Sequence, residues 1–117
     1  MAREQSAKLL IKKIRNINTD GEPTVVMGDF NALDNSKVIE VLKKEFKDSM
    51  EISEKGHKGP IGTFNNFLSK QEITKRIDYI FIYGMKIVSH EHVNKKLDNG
   101  NHISDHLPVL TKMKISK

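Results

Sequence analysis

Residues 76–83, with the sequence RIDYIFIY, constrain the fold of this chain more than any other segment. Apolar side chains occupy both faces of the segment, a pattern typical of a central strand that is covered from two sides. Asp78 is the one carboxylate in this apolar run, and a buried charge is costly unless it is paired. His106 is a natural partner, because a carboxylate that accepts an imidazole proton fixes the tautomer and favours the charged ring.

Two amphipathic helices and a short strand are predicted before this segment. Residues 2–18 repeat apolar side chains at helical spacing, namely at Ala7, Leu10, Ile11, Ile14 and Ile17. Pro23 then leads into a strand at residues 24–27, and Asn35 or Ser36 is expected to cap a second helix. The buried face of that helix is expected to contain Val38, Ile39, Leu42 and Phe46.

The remaining segments are less regular. Residues 47–62 are polar and contain three glycines and a proline, which predicts a long loop. A short strand is expected at residues 63–64, a polar edge strand at 86–93 and a last strand with one buried face at 107–116. The predicted fold is α/β (α+β), a mixed β-sheet of about four to five strands with two helices on one face. We expect a single domain over residues 1–117, with the second apolar face of the sheet left uncovered.

Composition excludes some kinds of site and leaves others open. The chain has no cysteine, so it has neither disulfides nor thiolate metal ligands. Its formal charge of +5 favours acidic partners such as nucleic acid or phosphate esters. The lysines are scattered along the chain, however, which is more typical of solvated faces. No apolar stretch approaches the length of a membrane span.

Acidic and amide side chains stand at the ends of three predicted strands. Asp29 and Asn31 follow the first strand, Asp78 lies in the central one, and Asp105 and His106 precede the last. If the strands are neighbours, these groups meet at one rim. Such a cluster suits metal-assisted hydrolysis of a phosphoester, in which carboxylates hold a hard dication and orient water. The residues alone also allow ordinary turns and a satisfied structural acid.

Three motifs carry a resemblance to a known family. GDFN, RIDYIF and SDHLPV, in that order, resemble the C-terminal motifs of the endonuclease/exonuclease/phosphatase family, the deoxyribonuclease I-like hydrolases. The first helix also resembles the helix that precedes GDFN in bacterial members. The resemblance implies half of a four-layer α/β-sandwich, because the family domain consists of two pseudo-symmetric halves. We therefore expect the chain to be the C-terminal half of a truncated domain.

The resemblance also implies a role for each residue of the motifs. Asp29 would orient or deprotonate the attacking water and contribute to the metal site, and Asn31 would contact the scissile phosphate. Asp78 would hydrogen-bond His106, which would stabilise the phosphoryl group. Asp105 would assist at the metal site.

Further residues and the cofactor follow from the same resemblance. Thr63 and Arg76 occupy positions where the family places supporting or substrate-binding residues. The implied cofactor is Mg²⁺ or Mn²⁺, and the principal metal-binding glutamate is expected in the N-terminal half, which this chain lacks. The implied function is that of a fragment of a metal-dependent phosphoesterase acting on a phosphodiester or phosphomonoester, inactive or weakly active alone.

An alternative from a different class is a non-enzymatic interaction module. Such a module would bind nucleic acid through its basic surface, or a second copy of itself through the exposed sheet face. The expected partners are therefore a phosphate-ester substrate, nucleic acid, the missing half of the domain or a homodimer partner.

The remaining histidines have two interpretations. His90 and His92 lie two residues apart on one strand face and could bind zinc with a third ligand. Surface positions on an edge strand are the favoured interpretation. His57 and His102 are expected in loops.

Overall fold

The computed structural model describes residues 2–115. Within that range the chain forms helices and strands in the order α1, β1, α2, β2, α3, β3, β4, β5 and β6. Their bounds are α1 Ala2–Ile17, β1 Thr24–Asp29, α2 Lys37–Lys43, β2 Lys47–Asp48, α3 Ser49–Ile52, β3 His57–Lys58, β4 Asp78–Tyr83, β5 Met85–His92 and β6 Val109–Ile115. The predicted last strand extended to Ser116, which lies outside the described residues.

The strands form two sheets of three strands each. The first has the order β1-β4-β2 and the second β3-β5-β6. The α/β class and the central position of β4 are confirmed, but the strands do not join in one sheet of four to five. Both edges of β4 are occupied by antiparallel neighbours, so β5 has no edge to pair with. It enters the second sheet after a turn at Gly84, whose φ of +77° favours glycine.

Helices α1 and α2 cover one face of the first sheet, as predicted. The buried cluster on this side joins Ala7 and Ile11 of α1 to Ile39 and Leu42 of α2. Tyr79 and Phe81 of β4 complete it, and the Phe30 ring contacts both of them edge-on. The helical periodicity in the sequence therefore reflects burial against aromatic side chains of β4.

The second sheet covers the other face of β4. Ile80 and Ile82 are buried against Ile87 of β5, with Met85, Val109 and Met113 packed around them. The expectation that this face lacks a cover is therefore wrong for β4, because β5 and β6 supply one. It holds for part of β1, where Met27 lies opposite Ile80 in the ladder and is 70% exposed.

Two sequence interpretations of the remaining chain are wrong. The predicted loop at 47–62 contains β2, α3 and β3, which are too short to show periodicity. The predicted polar edge strand is β5, which lies between β3 and β6 in the second sheet. His90 and His92 are consequently buried and do not lie on the surface.

In the part of the chain that the structure describes, no helix is long and apolar enough to cross a membrane.

Candidate active site

The three motifs meet where β1 ends and β4 begins. The antiparallel register places Asp29, the last residue of β1, opposite Asp78, the first residue of β4. His106 Nδ1 lies 2.8 Å from Asp78 Oδ2, and His106 Nε2 lies 3.8 Å from Asp29 Oδ2. One ligand atom from each of the three residues lies within 4.8 Å of the others. The register of one strand pair therefore brings distant residues into one polar cluster.

Exposure differs among these three side chains. Asp78 is 18% exposed, His106 31% and Asp29 47%. The inner carboxylate faces the imidazole and the outer one faces solvent. This gradient suits a division of labour in which Asp78 holds His106 while Asp29 meets water and substrate.

The contacts of His106 raise its pKa above the ordinary value. The hydrogen bond to Asp78 is the main cause, and the negative charges of Asp78, Asp29 and Asp105 add to it, while burial works in the opposite direction. Protonated His106 donates Nδ1–H to Asp78, which leaves Nε2–H directed towards the side of Asp29. The ring can therefore act as a cationic hydrogen-bond donor to an anionic group beside Asp29.

Thr63 positions the start of β4. Its buried hydroxyl accepts hydrogen bonds from the backbone N–H groups of Ile77 at 3.0 Å and Asp78 at 3.2 Å. Its carbonyl accepts a third from Leu107 N–H at 2.7 Å. Thr63 thus connects the segment bearing Asp78 to the segment bearing His106. The short strand expected at 63–64 is reduced to isolated bridges of Phe64 with Lys75 and His106.

Asn31 lies in a tight turn at the exposed end of β1. Its backbone N–H donates to Asp29 Oδ1 at 2.8 Å, and its carbonyl accepts from Arg3 Nη1 at 2.7 Å. The φ of +49° is a left-handed conformation that asparagine tolerates better than most residues. The turn orients one oxygen of Asp29 and leaves the Asn31 carboxamide at the surface.

Asp105 and Arg76 lie outside the three-residue cluster. Asp105 is half-buried, and its carbonyl accepts a hydrogen bond from Asn65 N–H at 2.8 Å. Arg76 is buried and donates two hydrogen bonds to Asp48, at 2.5 and 2.6 Å. Its guanidinium also stands 4.4 Å from the centre of the Tyr79 ring. The contacts of Arg76 are thus with the core of the chain.

Asn65 is a supporting residue that the sequence did not indicate. Its side chain donates to Ser104 carbonyl at 2.9 Å and accepts from Phe67 N–H at 2.7 Å. Together with its backbone bond to Asp105, this fixes the turn before His106. Its signal in the sequence is its place two residues after Thr63, in the segment GTFNN at 62–66.

The donor set is compatible with a hard dication. Asp29 and Asp78 offer oxygen ligands, and Mg²⁺ commonly takes one or two carboxylates and keeps several waters. Because Asp78 also accepts the bond from His106, the more exposed Asp29 is the better ligand.

Two stacked sheets, helices on one outer face and an Asp–His–Asp cluster at the strand ends define a phosphoesterase-like α/β sandwich. The model of the endonuclease/exonuclease/phosphatase family matches residues 1–106. The chain belongs to this family, and the resemblance inferred from the three motifs is confirmed.

Solved structures give the same result. A functionally unknown conserved protein from Enterococcus faecalis V583 is 29% identical with a TM-score of 0.87, and the alignment covers 98% of this chain and 45% of that one. An endonuclease/exonuclease/phosphatase from Bacteroides vulgatus is 30% identical with a TM-score of 0.82, covering 98% and 44%. A mannosyl-6-phosphatase from Bacteroides thetaiotaomicron VPI-5482 is 25% identical with a TM-score of 0.82, covering 97% and 46%.

The chain therefore spans less than half the length of these structures. A search of curated proteins found no match.

Proposed function

We propose that this chain forms one wall of the active site of a metal-dependent phosphoesterase that hydrolyses a phosphomonoester or phosphodiester by attack of water. The observation that carries the proposal is the cluster in which Asp78 holds His106 beside the more exposed Asp29. Family membership supports a hydrolase of this type.

The roles of the side chains follow from their exposure and bonding. Asp29 orients the attacking water and takes its proton, because it is the most exposed carboxylate of the cluster. His106, held by Asp78 with a raised pKa, donates Nε2–H to a phosphoryl oxygen and stabilises the charge that grows there. Asn31 adds a neutral donor to the same phosphate.

Asp29 would hold Mg²⁺ or Mn²⁺ with a further carboxylate from outside this chain, and Asp105, whose charge acts on His106 from outside the cluster, would assist at the metal site. When bound, the ion polarises the phosphoryl oxygen and lowers the pKa of a coordinated water. Thr63 supports the site by fixing the backbone at Asp78. Arg76 supports it indirectly, through the ion pair with Asp48 that packs under Tyr79.

The isolated chain is proposed to be inactive or weakly active. It matches 44% to 46% of the length of its structural relatives, and the family's principal metal-binding glutamate is expected in the other half. One relative is named as a mannosyl-6-phosphatase, which makes a phosphomonoester a reasonable first substrate to test.

A chimaera provides the sharpest test. This chain would replace the matching segment of the Bacteroides thetaiotaomicron mannosyl-6-phosphatase, and hydrolysis of chromogenic mono- and diesters would be measured with Mg²⁺ and with chelator. We expect Mg²⁺-dependent hydrolysis that Asp29→Ala lowers by at least about 100-fold, a typical contribution of a general base. Asp98→Asn, which removes an exposed loop carboxylate, is the matched control and should have no effect.

Two results would contradict the proposal. A chimaera that is folded, as shown by cooperative unfolding, but hydrolyses no substrate would contradict a catalytic role of this chain. Chelator-sensitive hydrolysis by the isolated chain, abolished by Asp29→Ala, would show that no other half is needed.

An interaction module is a second candidate function. Val25 and Met27 of β1 are exposed on the face that carries Ile80 and Ile82, and a second copy of the chain could cover them. Light scattering that finds a strict monomer at high concentration would exclude this homodimer. Salt-dependent binding of an oligonucleotide without turnover would favour a nucleic-acid-binding role.

A further inference from the structure

A second polar cluster lies in the other sheet, and it contains three histidines. The parallel pairing of β3 with β5 places His57 opposite His90, and His92 follows two residues further on the same face. His90 and His92 are buried, and His57 is half-buried. The ring centres lie 4.3 to 5.2 Å apart. One ring nitrogen from each of the three lies within 4.8 Å of the others.

One backbone carbonyl determines the tautomers of two of these rings. Pro60 O lies 2.8 Å from His57 Nε2 and 2.8 Å from His92 Nδ1. A carbonyl oxygen only accepts, so both of these nitrogens carry the proton. In a neutral imidazole the opposite nitrogen, here His57 Nδ1 and His92 Nε2, then presents a lone pair. A histidine that donates its other N–H to a backbone carbonyl is the usual arrangement around a bound metal.

The third ring, His90, approaches His57 through Nδ1. His57 Nδ1 and His90 Nδ1 lie 3.1 Å apart, and since His57 Nδ1 is an acceptor, either a proton of His90 or a cation lies between them. Two nitrogens on one tetrahedral Zn²⁺ are separated by about 3.3 Å, from Zn–N distances near 2.0–2.1 Å. Among the described residues, His90 Nε2 and His92 Nε2 are buried without a hydrogen-bond partner. Such groups are costly to leave unsatisfied.

The fold brings the carbonyl of Pro60 against the rings through Gly59. Its φ is +92°, and a Cβ there would lie 2.2 Å from the carbonyl oxygen of His92. Only glycine allows so close an approach of this loop to β5.

Burial keeps the inner rings uncharged. It lowers the pKa of His90 to about 3 and that of His92 to about 4. Nearby positive charge, including Arg76, acts in the same direction, whereas backbone hydrogen bonds with Pro60 and Gly62 raise the pKa of His92. The uncharged imidazole is the form that binds metal.

We propose that His57, His90 and His92 form a second metal site, which binds one divalent transition-metal ion, foremost Zn²⁺, independently of the phosphoesterase cluster. The all-imidazole donor set suits Zn²⁺, Cu²⁺ or Ni²⁺ and disfavours Mg²⁺ and Mn²⁺, which prefer oxygen. A fourth position remains for water or an external ligand. The ion joins β3, which carries His57, to β5, which carries His90 and His92, and it gives the lone pair of His92 Nε2 a partner.

The test titrates the 117-residue chain with Zn²⁺ against a chromophoric chelator, in excess Mg²⁺ to occupy the other cluster. We expect one Zn²⁺ per chain, and visible absorption typical of tetrahedral nitrogen coordination when Co²⁺ replaces it. His57→Gln and His92→Gln should weaken binding by more than about 100-fold, since even outer partners of a metal site contribute 10–100-fold. His102→Gln, at a buried histidine outside the cluster, and Asp29→Asn should leave it unchanged.

NMR of the histidine rings in the unmodified chain gives a result that does not depend on folding of the variants. Zn²⁺ should shift the nitrogen signals of His57, His90 and His92 and leave those of His102 and His106 in place. Shifts confined to His106, no binding at micromolar Zn²⁺, or unchanged affinity in a folded His57→Gln chain would each overturn the proposal. The three rings would then be a hydrogen-bonded part of the core.

Discussion

The buried pair of Asp48 and Arg76 gives a prediction whose size follows from the structure. Their side chains are 0% and 5% exposed, and two hydrogen bonds join them. Asp48→Asn removes the negative charge while keeping an oxygen that can accept from Met50 N–H at the start of α3, as Asp48 does. The guanidinium is then left buried without a counter-charge. Breaking such a pair costs about 3–5 kcal/mol, a large part of the roughly 5–15 kcal/mol that stabilises a typical domain.

Urea unfolding followed by circular dichroism measures this loss. The double variant Asp48→Leu with Arg76→Met replaces the pair by apolar groups, and we expect it to be considerably more stable than Asp48→Asn. The exposed pair of Arg15 and Glu45 is a control, because Glu45→Ala should cost no more than about 1 kcal/mol. A loss below about 1 kcal/mol for Asp48→Asn would refute the reasoning, since the pair would then behave as an exposed one.

Three further predictions concern the two clusters. Asp78→Asn should lower the pKa of His106 towards its ordinary value, as measured by NMR titration, because the main cause of the raised pKa is lost. In the unmodified chain the raised pKa of His106 stabilises the folded state fully below the unfolded pKa of about 6.5, and this stabilisation is lost as pH rises through the folded pKa. The free energy of unfolding of Asp78→Asn should therefore depend much less on pH in this range. Thr63→Val removes the acceptor of two backbone N–H groups and should cost about 1–3 kcal/mol in urea unfolding, whereas Thr63→Ser should restore most of it. Gly59→Ala should lower the melting temperature by several degrees, because the new Cβ would overlap the carbonyl oxygen of His92. A loss of about 1 kcal/mol in the free energy of unfolding lowers the melting temperature of a domain of this size by roughly 4 °C. An unchanged melting temperature would contradict the close approach of Gly59 to His92.

The cluster of Asp29, Asp78 and His106 could be predicted largely from sequence, because Asp78 is the one carboxylate next to the apolar residues of β4. A lone carboxylate in such a segment requires a partner, and the structure supplies His106. The β4 strand itself was recognisable from its pattern. The positions of Thr63 and Asn65 depend on contacts between distant segments, which periodicity does not report. The resemblance indicated Thr63 as a supporting position, but nothing in the sequence specified the two N–H groups that it binds.

The second sheet was predicted less well, for a physical reason. β5 contains Lys86, Ser89, His90 and Glu91, a composition typical of an exposed edge. Histidine is usually counted as a polar residue, yet His90 and His92 are buried here. His90 contacts the ring of His57, and His92 contacts the backbone carbonyl of Pro60. The two-residue strand that covers them is too short to recognise. The burial of His90 and His92 thus depends on the parallel pairing with β3, which the sequence pattern does not predict.

The ladder between β1 and β4 also determines when the cluster of Asp29, Asp78 and His106 can assemble during folding. Asp29 reaches Asp78 only in one antiparallel register, and a shift of one residue would turn the side chains of a whole strand to the opposite face. The hydrogen bond between His106 and Asp78 then joins residues that are 28 positions apart in the sequence. Contacts of such long sequence separation form slowly. The Asp78–His106 hydrogen bond is therefore expected to form late, so the titration of His106 would report complete folding more faithfully than helix content does.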